Sequence, residues 1–231
     1  MESAELTAAN ATQIPNEQGV YQLLLDSRLV YIGKTDGEAG LRTRLSRHAF
    51  TIQHRHNLTS EHVHFRAVRV FVFTAVDLET QLLRHYNANA TVAWNDSGFG
   101  SNDPGRNRDD TALNPNNFDA LYPINIDLPL LLAIPQTSTV ASVLTAMREH
   151  VPYSLRVETV SRGSRRPHPE LEAAMVQVPQ VPLPVREHLA NIVRVLPGGW
   201  QATKLAGRVI LYREDRPYPH GEIIAKSNSI R

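Results

Sequence analysis

The 231-residue chain contains no cysteine. That excludes disulfides, thiolate metal sites and a cysteine nucleophile together. Long apolar runs are missing too. The longest, near Leu128 to Ile134, is interrupted by Pro129 and bounded by Pro135, far short of the roughly 18 residues that span a bilayer. The opening Met1-Glu2-Ser3-Ala4-Glu5 is acidic and leads into no apolar core, so it does not read as a secretory signal. A soluble cytoplasmic protein without a membrane partner is expected, in which Asn57-Leu58-Thr59 carries no glycan. Net charge is nearly absent: 24 Lys+Arg stand against 23 Asp+Glu, leaving +1. Such a balance does not advertise a nucleic-acid binder, because phosphate affinity scales with clustered positive charge. Local clusters must make that case.

What is present supports a folded protein. Apolar residues make up 42% and charged residues 20% of the chain, enough to bury a sizeable core. Charge is unevenly distributed. Residues 1–125 hold 11 basic and 14 acidic side chains, and residues 126–231 hold 13 and 9. A boundary near Pro123 therefore separates two expected regions, 1–125 and 126–231. No repeat or low-complexity tract is evident.

The first region begins with a polar arm or short helix. Gly19-Val20-Tyr21 and Tyr31-Ile32-Gly33-Lys34 then flank a tight turn at Asp26-Ser27-Arg28, which reads as a hairpin with strands at about 19–25 and 29–33. A helix starting near Leu41 would bury Leu41, Leu45 and Phe50, and it sets Arg44 and His48 four residues apart on one face. A third strand fits 65–73. A second helix fits 76–86, with Leu78, Leu82 and Leu83 inward and Asp77 in its first turn. From Ala93 to Pro123 the chain is loop-like, and loops this long are functional or disordered. In the second region helices fit 138–150 and 184–195, around a basic, Pro-rich connector from Arg162 to Pro169. Pro197-Gly198-Gly199 suits a hairpin and 208–212 a strand. Trp200 and Tyr212 read as core.

Two other patterns lead nowhere. Gly33-Lys34-Thr35 would end a phosphate-binding loop only if a glycine stood at position 28, where there is Arg28. His54, His56, His62 and His64 lack a partner that completes a zinc site.

Tyr21, Tyr31, Arg44, His48, Glu79 and the pair Trp94-Asn95 occur in an order that resembles the catalytic domain of the GIY-YIG nucleases over about residues 18–96. The resemblance implies an α+β fold, with a small three-stranded antiparallel sheet flanked by helices and a C-terminal α+β extension. It also implies metal-dependent hydrolysis of phosphodiesters. Glu79 takes the place of the single metal ligand, holding Mg²⁺ with Mn²⁺ able to substitute. Arg44 faces the charge developing on phosphorus, and Asn95 closes the motif. Tyr21 takes the place of the general base, supported by Tyr31 and His48. On chemical grounds His48 is the rival base, since an unperturbed phenol titrates near 10 and an imidazole near 6.5.

Lys34, Arg42 and Arg47 are candidate phosphate contacts. The loop Gly98–Asp110, bearing Asn102, Arg106 and Arg108, suits base or phosphate recognition. It resembles a GIY-YIG subgroup of type II restriction endonucleases that cut GC-rich palindromes of the CCGCGG type. One site per chain then implies a homodimer or higher symmetric assembly on double-stranded DNA, with residues 126–231 supplying DNA contacts or dimerisation. Within the same superfamily the alternative is a structure-specific or nicking repair nuclease, and outside catalysis a DNA-binding scaffold.

Overall fold

The computed structural model describes residues 3–35, 39–70, 75–87, 92–100 and 103–228, without the side chains of residues 75–77 and 87. The chain is a mixed α+β protein divided into two compact units, Met1–Ser101 with Asn114–Tyr122, and Asn102–Leu113 with Pro123–Arg231. Among the described residues no helix is long and apolar enough to cross a membrane.

The first unit runs β1 (Ala4–Glu5), α1 (Ala8–Thr12), β2 (Gly19–Leu25), β3 (Arg28–Lys34), α2 (Leu41–Gln53), β4 (Val63–Arg69), α3 (Ala75–Asn87) and α4 (Phe118–Leu121). Its sheet has four strands in the order β1-β4-β2-β3, not three. The extra strand is only two residues long and pairs with β4 at Phe65 and His64, too short to leave a pattern. β2 and β3 join through Asp26 and Ser27 at φ 48° and 68°. Two successive left-handed residues are what a two-residue hairpin needs to match strand twist. Along β2, side chains alternate between two covered faces. Tyr21 and Leu23 join a core with Leu41, Leu45, Ala49 and Ile52 of α2. Val20 packs with Ile32, Val92 and the leucines Leu78, Leu82 and Leu83 of α3.

Phe50 is not in that core but 39% exposed, because nine residues at about 100° each place it opposite Leu41. It packs instead on His54, with ring centroids 4.5 Å apart. The start of α2 is capped from outside: Asn16 Oδ1 accepts from Thr43 N at 3.1 Å. The expected third strand begins and ends earlier than read, at Val63–Arg69. Residues 71–73 of that reading lie outside the described residues.

The second unit contains β5 (Pro129–Leu130), β6 (Thr137–Thr139), α5 (Val140–His150), β7 (Ser154–Val157), α6 (Pro169–Ala173), β8 (Met175–Gln177), β9 (Leu183–Pro184), α7 (Val185–Val195), β10 (Gln201–Leu205), β11 (Arg208–Tyr212) and β12 (Glu222–Lys226). Its main sheet has the order β12-β10-β11-β7, antiparallel except where β11 pairs parallel with β7. Leu144, Met147, Leu189, Ile192 and Trp200 form its core. The hairpin turns at Ala206-Gly207, between Leu205 and Arg208, and not at Gly198-Gly199, which form a turn between α7 and β10.

The single boundary expected near residue 125 gives way to an exchange of segments. Residues 102–113 belong to the second unit, where the Asp109 side chain is fully buried and paired with Arg156 and Arg208. Residues 114–122 return to the first, where Phe118 is 1% exposed. A buried charge that must find its partners and a buried ring decide the division.

Candidate active site

β2 and β3 place Tyr21 and Tyr31 on the face covered by α2, with ring centroids 6.1 Å apart. Tyr21 lies opposite Gly33 in the register. A Cβ at Gly33 would stand 2.5 Å from both Cζ and Oη of Tyr21 and 2.8 Å from the Tyr31 ring. The glycine of the Tyr31-Ile32-Gly33 run thus makes room for the Tyr21 phenol. From α2, His48 projects into the same space: its Nε2 is 2.8 Å from Tyr21 Oη in a buried hydrogen bond. The tautomer sets the direction of that bond. With the ring proton on Nδ1, the phenol donates to Nε2; with it on Nε2, the ring donates to the phenol.

Burial opposes ionisation of all three groups. The Tyr21 phenol is pushed above its ordinary value, first by burial and then by Tyr31, while the Arg44 guanidinium pulls the other way. Tyr31 is also raised, mainly by burial. His48 is lowered to about 3 by burial and then by the charges of Arg44 and Arg47. At neutral pH the pair is neutral on both sides. The Glu79 carboxylate raises both phenols, so α3 brings it within electrostatic reach of them.

The remaining candidates divide. Lys34 is paired with Glu79, Nζ to Oε2 at 3.0 Å, and any phosphate contact requires that pair to open. Arg42 is exposed and its Nε donates to the Ile14 carbonyl at 2.9 Å. Arg47 is exposed. Asn95 is committed to the backbone: its Oδ1 accepts from Ile32 N and its Nδ2 donates to Ile32 O, both at 2.8 Å. With Trp94 N donating to Val30 O at 2.8 Å, this segment covers the open edge of β3. Both ends of the Asn95 amide are thus taken by the Ile32 backbone. Of the loop candidates, Asn102 lies outside the described residues. Arg106 is held by Glu158 and Glu214 and stacks 3.9 Å from the Tyr212 ring centroid. Arg108 is exposed.

One site residue has no counterpart in the sequence reading. Phe99 is 5% exposed, stacks on His48 with centroids 4.8 Å apart and meets Tyr31 edge-on at 5.0 Å. Its neighbours Gly98 and Gly100 have φ 98° and 70°, a backbone region that glycine enters without strain. Gly-Phe-Gly was visible as a signal, but nothing in its spacing tied it to His48.

Comparison by sequence gives no match: neither a family model nor a curated protein aligns significantly with this chain.

The carboxylate that the resemblance offers a divalent ion is that of Glu79, which is half-buried. Among the described residues no three His, Cys, Asp or Glu side chains gather as a cage. One carboxylate with retained waters and substrate oxygens is a common way to hold Mg²⁺, so the residues fit that mode, with Lys34 the cation to be displaced.

Proposed function

We propose that the protein is a divalent-metal-dependent endonuclease of the GIY-YIG type, acting as a restriction endonuclease on double-stranded DNA. The observation that carries this reading is the buried bond between Tyr21 Oη and His48 Nε2 at 2.8 Å, with Tyr31, Arg44 and Glu79 in electrostatic reach. Binding alone needs no pair of neutral acid–base groups held in mutual contact beside a guanidinium and a carboxylate.

Hydrolysis joins a water oxygen to phosphorus and breaks the bond to a sugar oxygen, so the attacking water gives up a proton, the phosphate is held, and the departing sugar oxygen takes up a proton from solvent. Tyr21 is the group for the proton. In the free protein burial keeps it protonated, and the hydrogen bond to His48 Nε2 holds the hydroxyl in place. Tyr21 can serve as base once the Arg44 guanidinium and a cation on Glu79 offset that burial and its own proton has passed to solvent. Arg44 offers a planar fork to the phosphate oxygens. Glu79 would hold a divalent ion, whose positive charge would favour the phenolate and the pentacovalent phosphate. Two-strand cleavage of a palindrome then calls for two copies related by a two-fold axis.

Incubating the protein with plasmid DNA and Mg²⁺ tests the reading. Discrete double-strand fragments are expected, with ends that map to one GC-rich palindrome. Nicked circles alone would assign a nicking enzyme, and unchanged supercoiled plasmid across several substrates would overturn the nuclease reading.

A further inference from the structure

The second unit carries a feature the proposed chemistry does not use. A cleft of about 1030 Å³ is lined by Arg106, Arg148, Arg156, Arg162, Arg165 and Arg213, with Glu158 as its one acidic wall residue. Part of this charge is already compensated. Arg106 pairs with Glu158 and Glu214, Arg156 with Asp103 and Asp109, and Arg213 with Glu170.

Three cations are not compensated. Arg148 gives its Nε to the Leu155 carbonyl at 2.8 Å, and burial without an acidic neighbour lowers its pKa. Arg162 and Arg165 are exposed. None of the three forms an ion pair among the described residues.

Arg162 and Arg165 sit at the tip of an ordered hairpin rather than in a loose loop. Thr159 bridges Pro167 antiparallel. Val160 N donates to Arg166 O at 3.1 Å and His168 N to Glu158 O at 3.1 Å. At the tip, Arg166 N donates to Ser164 Oγ at 3.0 Å. Arg166 itself turns to Glu172 at 3.1 Å, leaving the other two arginines toward the cleft. Holding like charges together around a cleft costs free energy unless an anion offsets it. Beside Val157, Val160 and Tyr212, the lining carries six arginines, far more cationic groups than the few polar anchors of a small-molecule pocket.

We infer that this cleft grips the phosphate backbone of duplex DNA, with Arg148, Arg162 and Arg165 as its sequence-independent anchor. The inference rests on the reading of the protein as one that acts on DNA, and deepens it by giving the second unit a binding role.

The test titrates full-length protein into fluorescent duplexes of unrelated sequence, in EDTA, across a range of salt. Replacing Arg162→Ala and Arg165→Ala together should weaken binding to every duplex by at least about tenfold at low salt. It should also reduce the slope of log K against log salt by about 2, since each lost phosphate contact removes about 0.9. Arg162→Lys with Arg165→Lys should keep most of the slope, because a backbone contact needs charge more than shape, and circular dichroism should match wild type for both variants. An unchanged affinity and slope in the alanine variant overturns the inference. So does wild-type protein that binds pyrophosphate tightly through these arginines yet ignores duplex DNA. Plasmid cleavage by the wild type, scored alongside, separates the two readings. Cutting with an unchanged slope removes the cleft and leaves the nuclease; a lost slope without any cutting does the reverse.

Discussion

Each unit buries a polar cluster, and the two are built on opposite rules. In the second, Asp109 is enclosed by Arg156 at 2.6 Å, Arg208 at 2.8 Å and the Tyr212 hydroxyl at 3.3 Å. Charge meets charge, and a loop is pinned to a sheet. In the first, Tyr21 and His48 meet as neutral groups, and burial pushes the acid up and the base down. Environments that drive two titrating groups apart in this way mark acid–base sites more than scaffolding. The two clusters differ in kind: Asp109 is buried with its charge compensated by arginines, whereas Tyr21 and His48 are buried as neutral partners of one hydrogen bond, as the proposed chemistry requires.

The comparison can be broken most forcefully at Asp109. Asp109→Ala leaves Arg208 without a carboxylate and Arg156 with Asp103 alone, and removing one partner of a buried pair costs about 3–5 kcal/mol. Chemical denaturation should show a loss of that size, and a loss below about 1 kcal/mol would mean the arginines are solvated rather than held. Gly33→Ala comes next. Its Cβ must displace the Tyr21 phenol, an overpacking that costs about 1–3 kcal/mol and should abolish cleavage. Normal cleavage with an intact fold would show that the phenol's position does not matter.

A smaller effect concerns pH. His48 in the folded chain titrates near 3, below the roughly 6.5 of the unfolded chain, so the unfolded state takes up the proton first. Its contribution to stability is complete above about 6.5 and is lost as pH falls toward 3, at up to about 1.4 kcal/mol per pH unit. Denaturation midpoints at about pH 7 and about pH 5 should therefore differ more for wild type than for His48→Gln. Equal differences would place the pH dependence elsewhere. The smallest expected effect is at Asn95: Asn95→Ala unpairs one edge of β3, where water can replace the amide, and should cost about 1 kcal/mol. Cleavage should be reduced only in proportion to any displacement of Tyr31. A complete loss of cleavage with unchanged stability would return Asn95 to the chemistry.

Legibility in the sequence followed the range of the forces involved. The β2–β3 hairpin, α2, α3, α5, α7 and β11 rest on local pattern, and their residues announce them. Tyr21 and His48 were legible together because strand alternation and helical spacing each direct a side chain to one face. What was not legible depends on distant partners. β1 exists only through its pairing with β4, and Asn95 takes its role from the open edge of β3. Phe99 joins the site through stacking across some fifty residues of chain. The loop Gly98–Asp110 reads as DNA-contacting because nothing local shows Asp109 reaching Arg156 and Arg208. The Gly198-Gly199 signal was real but marked a helix-to-strand turn, while the hairpin used Ala206-Gly207.

The central claim is that the Tyr21 hydroxyl does chemistry rather than packing, and one rate tests it. Single-turnover cleavage of a plasmid in Mg²⁺ should fall by about 10²–10⁴-fold in Tyr21→Phe, the usual contribution of a proton-transferring group, while DNA affinity measured in EDTA stays as in wild type. A Tyr21→Phe protein that cuts at a near-normal rate would contradict the claim.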